Sequence, residues 1–142
     1  MVKVVYNSTR LFAYLENLKE RYFNLAEMAK LSKEEFLADK RNSDIVFANL
    51  YIALNIILDA GSHIIVKNGQ KRPGTYREII DELGKLGVIP ADFAERVKGL
   101  AGYRNRMAHG YIDITPEELY QIITENLADI KKFIGYFSRL LT

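Results

Sequence analysis

From Ile45 to Leu58 the chain runs through 14 residues interrupted only by Asn49 and Asn55, and this apolar run restricts the fold more than any other segment. A bilayer span takes about 20 apolar residues, so a run of this length is read as a buried core helix. A helix apolar on nearly every side needs neighbours on nearly every side. The expectation is the central helix of a bundle. With 142 residues the chain can bury such a core without staples, as a single helical domain over residues 1–142.

Local start signals divide the rest. Asn7-Ser8-Thr9 opens a first helix to about Lys30, with Leu11, Leu15, Leu18, Tyr22, Leu25 and Ala29 alternately four and three apart. That seam predicts packing within a bundle or against a second copy. Ser32 with Glu35 reads as a capping box for a short helix ending near Asn42, and Ser43 or Asp44 is the expected cap of the apolar helix. Thr75 with Glu78 reads as another capping box, opening a helix through Leu86. Thr115-Pro116-Glu117-Glu118 stacks a capping hydroxyl, a first-turn proline and a glutamate. The helix after it carries Leu119, Ile122, Ile123, Leu127, Ile130, Phe133, Ile134, Phe137 and Leu141 on one broad face. No strand-like alternation competes. The predicted fold is all-α, a bundle of four long helices with one or two short ones.

Chemistry concentrates in Tyr103-Arg104-Asn105-Arg106-Met107-Ala108-His109-Gly110-Tyr111. Upstream, Phe93, Val97, Leu100 and Ala101 recur at helical spacing, so the helix ends inside this stretch. On an uninterrupted helix Arg104 and His109 point about 140° apart, at roughly 100° per residue. Gly110 suits the left-handed position past a helix end, which places His109 at the C-cap, its imidazole free to swing back toward Arg104. An imidazole can take a proton from a hydroxyl or return one to a leaving oxygen, and a guanidinium stabilises a phosphate as charge builds on it. Asn105 adds an amide able to orient a ribose or phosphate oxygen. From spacing alone a second reading of His109 stays open, in which it donates to the last carbonyls of its helix. Arg106, two positions round, reads as a surface ion pair, and Tyr111 in isolation as a half-buried phenol.

Asn55, Asp59 and His63 recur every four residues, a polar stripe on an apolar helix. Either it is a hydrogen-bonded network or solvated edge, or Asp59 and His63 line a cleft. Lys67, Lys71 and Arg72 sit in a loop that either solvates the surface or, folded near His109, contacts a phosphate backbone. Two histidines and no cysteine leave no metal-ligand spacing, and no thiolate chemistry or disulfide. No metal or cofactor is called for. A net charge of +2 neither requires nor excludes RNA as a partner. Met1 to Asn7 hold no apolar run of signal-peptide length, so a cytoplasmic protein with no membrane partner is expected.

Arg104, four residues, His109, Gly110 and Tyr111 resemble the Arg-x4-His-x-Tyr signature of the HEPN superfamily, specifically the HepT-like toxins. Asp59-Ala60-Gly61-Ser62-His63-Ile64-Ile65, Thr75-Tyr76-Arg77-Glu78, Leu83 to Ile89 and the helix from Thr115 resemble that branch in order and spacing. The resemblance implies a metal-independent endoribonuclease with Arg104, Asn105 and His109 as catalytic residues, using the 2′-hydroxyl of the RNA and leaving a cyclic phosphate. It further implies a homodimer with both motifs on one cleft, and a nucleotidyltransferase antitoxin that adds AMP to Tyr111. The dimer also has a physical expectation: the apolar faces of the first and last helices exceed what one small bundle needs, and one His109 can act as base only if another group acts as acid. The competing reading is a non-catalytic helical protein that binds nucleotides or a nucleotidyltransferase. Retention of Arg104 and His109 together favours the nuclease.

Overall fold

The computed structural model describes residues 4–109 and 113–142. Six helices follow in order: α1 (Ser8–Ala29), α2 (Lys33–Ala38), α3 (Lys40–Lys67), α4 (Tyr76–Lys85), α5 (Ala91–His109) and α6 (Pro116–Leu140). Four are long and two short, and no strand occurs among the described residues.

Side chains near each helix start satisfy backbone donors that have no partner inside the helix. Asn7 accepts the Arg10 N–H at 3.0 Å. Ser32 and Glu35 make both bonds of the capping box. Thr75 accepts from Glu78, whose carboxylate returns to the N–H of Gly74 instead of that of Thr75. Thr115 caps α6, with Pro116 in its first turn. Each such cap contributes about 1 kcal/mol. The α4 end turns through Gly87 at φ 76°, left-handed backbone that a side chain would strain.

One boundary differs from the sequence expectation. The second helix stops at Ala38, not near Asn42, and neither Ser43 nor Asp44 caps α3. Asp39 alone joins the two helices, in extended conformation, and its carboxylate accepts the Arg41 N–H at 2.9 Å. The Arg41 guanidinium holds the same carboxylate. With the cap set four residues upstream, Ser43 lies within the helix and its hydroxyl donates back to the Lys40 carbonyl at 2.9 Å.

Helix α3 is the centre, packed by all five others. Its most apolar window has a mean hydropathy of 1.6, enough by length and composition for a membrane span. Here it meets protein instead: Val46, Leu50, Ala53, Leu54, Ile57, Ile64 and Ile65 are buried. Its two amides do separate work. Asn49 is buried and accepts from Arg21 and Asn24 of α1 at 3.1 and 3.0 Å while donating to the Ile45 carbonyl. Asn55 belongs to the site described below.

The seam of α1, Leu11, Leu15, Leu18 and Leu25, is buried where α1 packs on α3 and α6. Each such leucine contributes roughly 1.5–3 kcal/mol. The broad α6 face closes inside the same chain: Phe133 packs edge-on to Phe93 at 5.0 Å and beside Phe137 at 5.9 Å. The premise that these two faces exceed one bundle's need is therefore corrected. Exposed apolar side chains lie elsewhere, at Phe12 and Phe23 of α1 and at Ile45, Ile52 and Val66 of α3.

Candidate functional site

Arg104 leaves α5 half-buried and turned inward against α3 and α4. Its Nε donates to Oδ1 of Asn55 at 2.8 Å. Its guanidinium carbon lies 4.4 Å from the ring centre of Tyr76, the first residue of α4, and 5.7 Å from that of Tyr51 on α3. Three helices thus fix one cation. Faces of aromatic rings attract a guanidinium by about 0.5–2 kcal/mol each, depending on desolvation. An amide acceptor and two rings orient the group without neutralising it. No carboxylate pairs with Arg104 among the described residues, so its terminal N–H groups keep the charge and geometry suited to a phosphate.

The neighbours separate by helical phase. Arg106 turns to α6, pairing with Glu118 at 2.7 Å and donating to the Asp113 carbonyl, the ion-pair role expected of it. Asn105 is exposed and, with Arg72 and Tyr76, lines a cavity of about 300 Å³. His109 is exposed and is the last residue of α5. The helix therefore ends inside the motif but runs through His109, which is helical where a cap was expected. Within one chain the Arg104 and His109 side chains then diverge by about 140°. Gly110 and Tyr111, with the left-handed turn and the modified phenol expected there, lie outside the described residues.

The polar stripe of α3 does not bond to itself. Asn55 holds Arg104. His63 is buried and accepts the backbone N–H of Asn7 on its Nε2 at 3.0 Å. Burial, with Arg10 and Lys67 adding repulsion, holds its pKa below the ordinary 6.5. It is thus a neutral imidazole tying the start of α1 to α3. Asp59 is exposed, and with His63, Tyr14 and three cations it lines a cleft of about 460 Å³. Arg72, from the 68–75 loop, borders this cleft and the one beside Asn105. That loop therefore reaches the face carrying the motif's amide. Among the described residues no three His, Cys, Asp or Glu side chains group closely enough to hold a metal ion.

Sequence reasoning missed Tyr51 and Tyr76 as the clamp, and Arg10 and Tyr14 as cleft residues. Tyr76 stood only within the Thr75-to-Glu78 segment of the resemblance, and nothing local marks a tyrosine as the partner of an arginine 28 positions on. Asn55 carried a signal, a polar residue in an apolar run, but not the identity of its partner.

The family described as Ribonuclease HepT-like matches residues 13–137. A tRNA nuclease HepT from Aphanizomenon flos-aquae is 26% identical over 128 residues, 90% of this chain and 82% of the relative. Three solved structures share the fold at low identity. A crystal structure of a toxin-antitoxin with AMP-PNP has a TM-score of 0.81 at 18% identity, covering 92% of this chain and 98% of the other. YutE of Bacillus subtilis, a cytosolic protein of unknown function, has a TM-score of 0.81 at 20% identity, covering 99% and 93%. A tri-AMPylated HEPN toxin of Shewanella oneidensis in complex with its MNT antitoxin has a TM-score of 0.80 at 18% identity, covering 92% and 97%.

Proposed function

This chain belongs to the HepT-like ribonuclease family and is an endoribonuclease, and we propose that it acts as a cytoplasmic toxin that cuts RNA without a metal ion. The observation that carries the mechanism is Arg104, held by Asn55, Tyr76 and Tyr51 yet left without a counter-charge among the described residues. Such a group serves a ligand that brings the negative charge.

In the proposed reaction the RNA 2′-hydroxyl attacks the adjacent phosphorus. His109 takes the hydroxyl proton, the bond from phosphorus to the 5′-oxygen breaks, and a second imidazole protonates that oxygen. The products are a 2′,3′-cyclic phosphate and a 5′-hydroxyl. Arg104 stabilises the charge on the phosphoryl oxygens in the transition state, and Asn105 orients a ribose or phosphate oxygen. Because Arg104 and His109 diverge on one α5, the reading includes a homodimer in which His109 of one chain works beside Arg104 of the other. Ile45 and Ile52, exposed on α3 with Ile52 one turn from Asn55, are apolar contacts suited to that interface.

The proposed partner is a nucleotidyltransferase antitoxin that transfers AMP to Tyr111. Each AMP adds a negatively charged phosphodiester two residues along the chain from His109, and the proposed effect is to occupy the Arg104 guanidinium and repel the RNA backbone. Intact-mass analysis of protein, partner and ATP should give an AMP adduct on Tyr111 and loss of nuclease activity. An adduct mapping elsewhere would reassign the modified residue.

The decisive experiment incubates the purified protein with single-stranded RNA and EDTA. Cleavage should persist, and His109→Ala and Arg104→Ala should each lower it by about a hundredfold to ten-thousandfold. Abolition by EDTA, or full activity in His109→Ala, would overturn the mechanism.

A further inference from the structure

Several cations on this molecule, Arg21, Arg41, Lys85, Arg96, Lys98 and Arg106 among them, pair with carboxylates, and others stand singly on the surface. Arg10, Lys67 and Arg72 have no ion pair among the described residues, and they converge on the 460 Å³ cleft from three different segments: the start of α1, the end of α3 and the loop after it. Unpaired cations brought together repel one another unless an anion joins them.

The cleft is held open by bonded backbone. Asn7 N–H on His63 Nε2 ties the first turn of α1, and hence Arg10, to α3. Asn68 exchanges two bonds with Val5, accepting its N–H at 3.0 Å and donating to its carbonyl at 2.8 Å, which fixes the segment leading into α1. Arg10 Nε donates to the Tyr14 hydroxyl at 3.2 Å, so the guanidinium and the ring form one wall. Asp59 supplies the carboxylate of the lining.

The cleft is also connected to the reaction site. Asn55, which holds Arg104, Asp59 and His63 occupy successive turns of one α3 face, about 6 and 12 Å apart along the axis at 1.5 Å per residue. A stacked strand advancing ~3.4 Å per nucleotide covers that distance in about four steps. Arg72 bridges the two cavities.

We propose that this cleft is a substrate subsite, in which Arg10, Lys67 and Arg72 bind phosphates of the RNA strand a few nucleotides from the cleaved bond, with Tyr14 and Asp59 facing the nucleotide between them. The proposal rests on the ribonuclease reading and adds to it where the rest of the strand lies. Cations of three segments contacting backbone phosphates position the RNA for cleavage without reading its sequence. Tyr14 offers a ring for stacking and Asp59 an acceptor for ribose hydroxyls or base amino groups.

The test measures binding of a single-stranded 2′-O-methyl RNA, which lacks the attacking hydroxyl, to the full chain across a salt series. The triple variant Arg10→Ala, Lys67→Ala and Arg72→Ala should bind at least about tenfold more weakly. Its log-log salt slope should flatten by about 2, as expected when about three phosphates of a single strand are no longer neutralised. Lys131→Ala with Lys132→Ala, which removes two exposed α6 cations remote from the cleft in sequence, should bind like the parent. Unchanged affinity of the triple variant overturns the subsite and leaves those cations to an acidic protein surface. Equal weakening by both variant sets overturns it too, as general charge attraction. Because the probe cannot be cleaved, these results are independent of catalysis: an inactive parent on ordinary RNA would instead sink the nuclease mechanism.

Discussion

At the scale of single residues, orientation of one charge separates a usable arginine from an ordinary surface one. Asn55 is a positioning residue: it touches Arg104 and no reacting atom need touch it. A hydrogen bond to a charged group is worth about 1.5–3 kcal/mol, so Asn55→Ala should slow RNA cleavage by about tenfold or more, and Asn55→Asp, which keeps the acceptor but supplies the counter-charge that Arg104 lacks, should not restore it. Turnover of both variants beside far-ultraviolet circular dichroism checks this, and Asn55→Ala at parental speed would detach Arg104's placement from the chemistry. His63 makes a different prediction. Its folded pKa lies below the unfolded value of about 6.5, so protons bind the unfolded chain more tightly and the stability it contributes is present above that value. This stability is lost as pH falls from about 6.5 through the depressed folded pKa. Urea midpoints should drop between about pH 8 and pH 5, and His63→Gln, which can still accept the Asn7 N–H, should lessen the drop. Equal slopes for both proteins would remove His63 as the cause.

At the scale of helices, close approach of α3 and α4 delivers Tyr76 to Arg104. Gly61 of α3 permits it: a Cβ there would sit 2.9 Å from Ile79 Cγ2 and 2.9 Å from Leu83 Cδ1, both side chains buried. Overpacking costs about 1–3 kcal/mol, against a helix-propensity gain of about 1 kcal/mol for alanine. Gly61→Ala should therefore lower the denaturation midpoint and, by pushing α4 outward, lower cleavage as well. A Cβ at Gly99 of α5 would meet no atom within 4 Å among the described residues, so Gly99→Ala should gain about 0.5–1 kcal/mol. Chemical denaturation of the pair checks both signs, and stabilisation by both substitutions would show that α4 yields freely. The junction of α5 and α6 is held by Arg106 with Glu118 and by the Thr115 cap. Thr115→Ala should cost about 1 kcal/mol.

At the scale of the whole molecule, the hydrophobic seams of α1 and α6 are largely buried inside one chain, which leaves little of them for assembly. Ile45 and Ile52 are exposed apolar residues of the first half of α3, Ile52 one turn from Asn55. Ile52→Glu should convert the expected dimer to a monomer in light scattering and lower cleavage with it, because Arg104 and His109 diverge within a chain. A parent that is monomeric at micromolar concentration and still cuts RNA would end the two-chain arrangement.

Helix count, most caps and core faces were legible because they are local: Asn7, Ser32, Thr75 and Thr115 each act on the donor three residues away, and the Leu11-to-Leu25 seam recurs at the helix's own period. One cap was not legible: Ser43 or Asp44 was expected, but the Asp39 carboxylate, held by its bonds to Arg41, caps α3 four residues earlier. The motif was singled out as a candidate site because an arginine, amide and histidine in one short stretch have few purely structural uses. The partners of its residues were not legible. Arg104 and Asn55 are 49 positions apart, and Arg10, Lys67 and Arg72 share a cleft from three separate segments. Which side chains meet across helices depends on how each helix is rotated and how closely its axis approaches the next, set by the fit of whole faces such as Gly61 against Ile79 and Leu83. No window of neighbouring residues contains that information, so the sequence alone named the candidate residues and the tertiary structure alone decided what surrounds them.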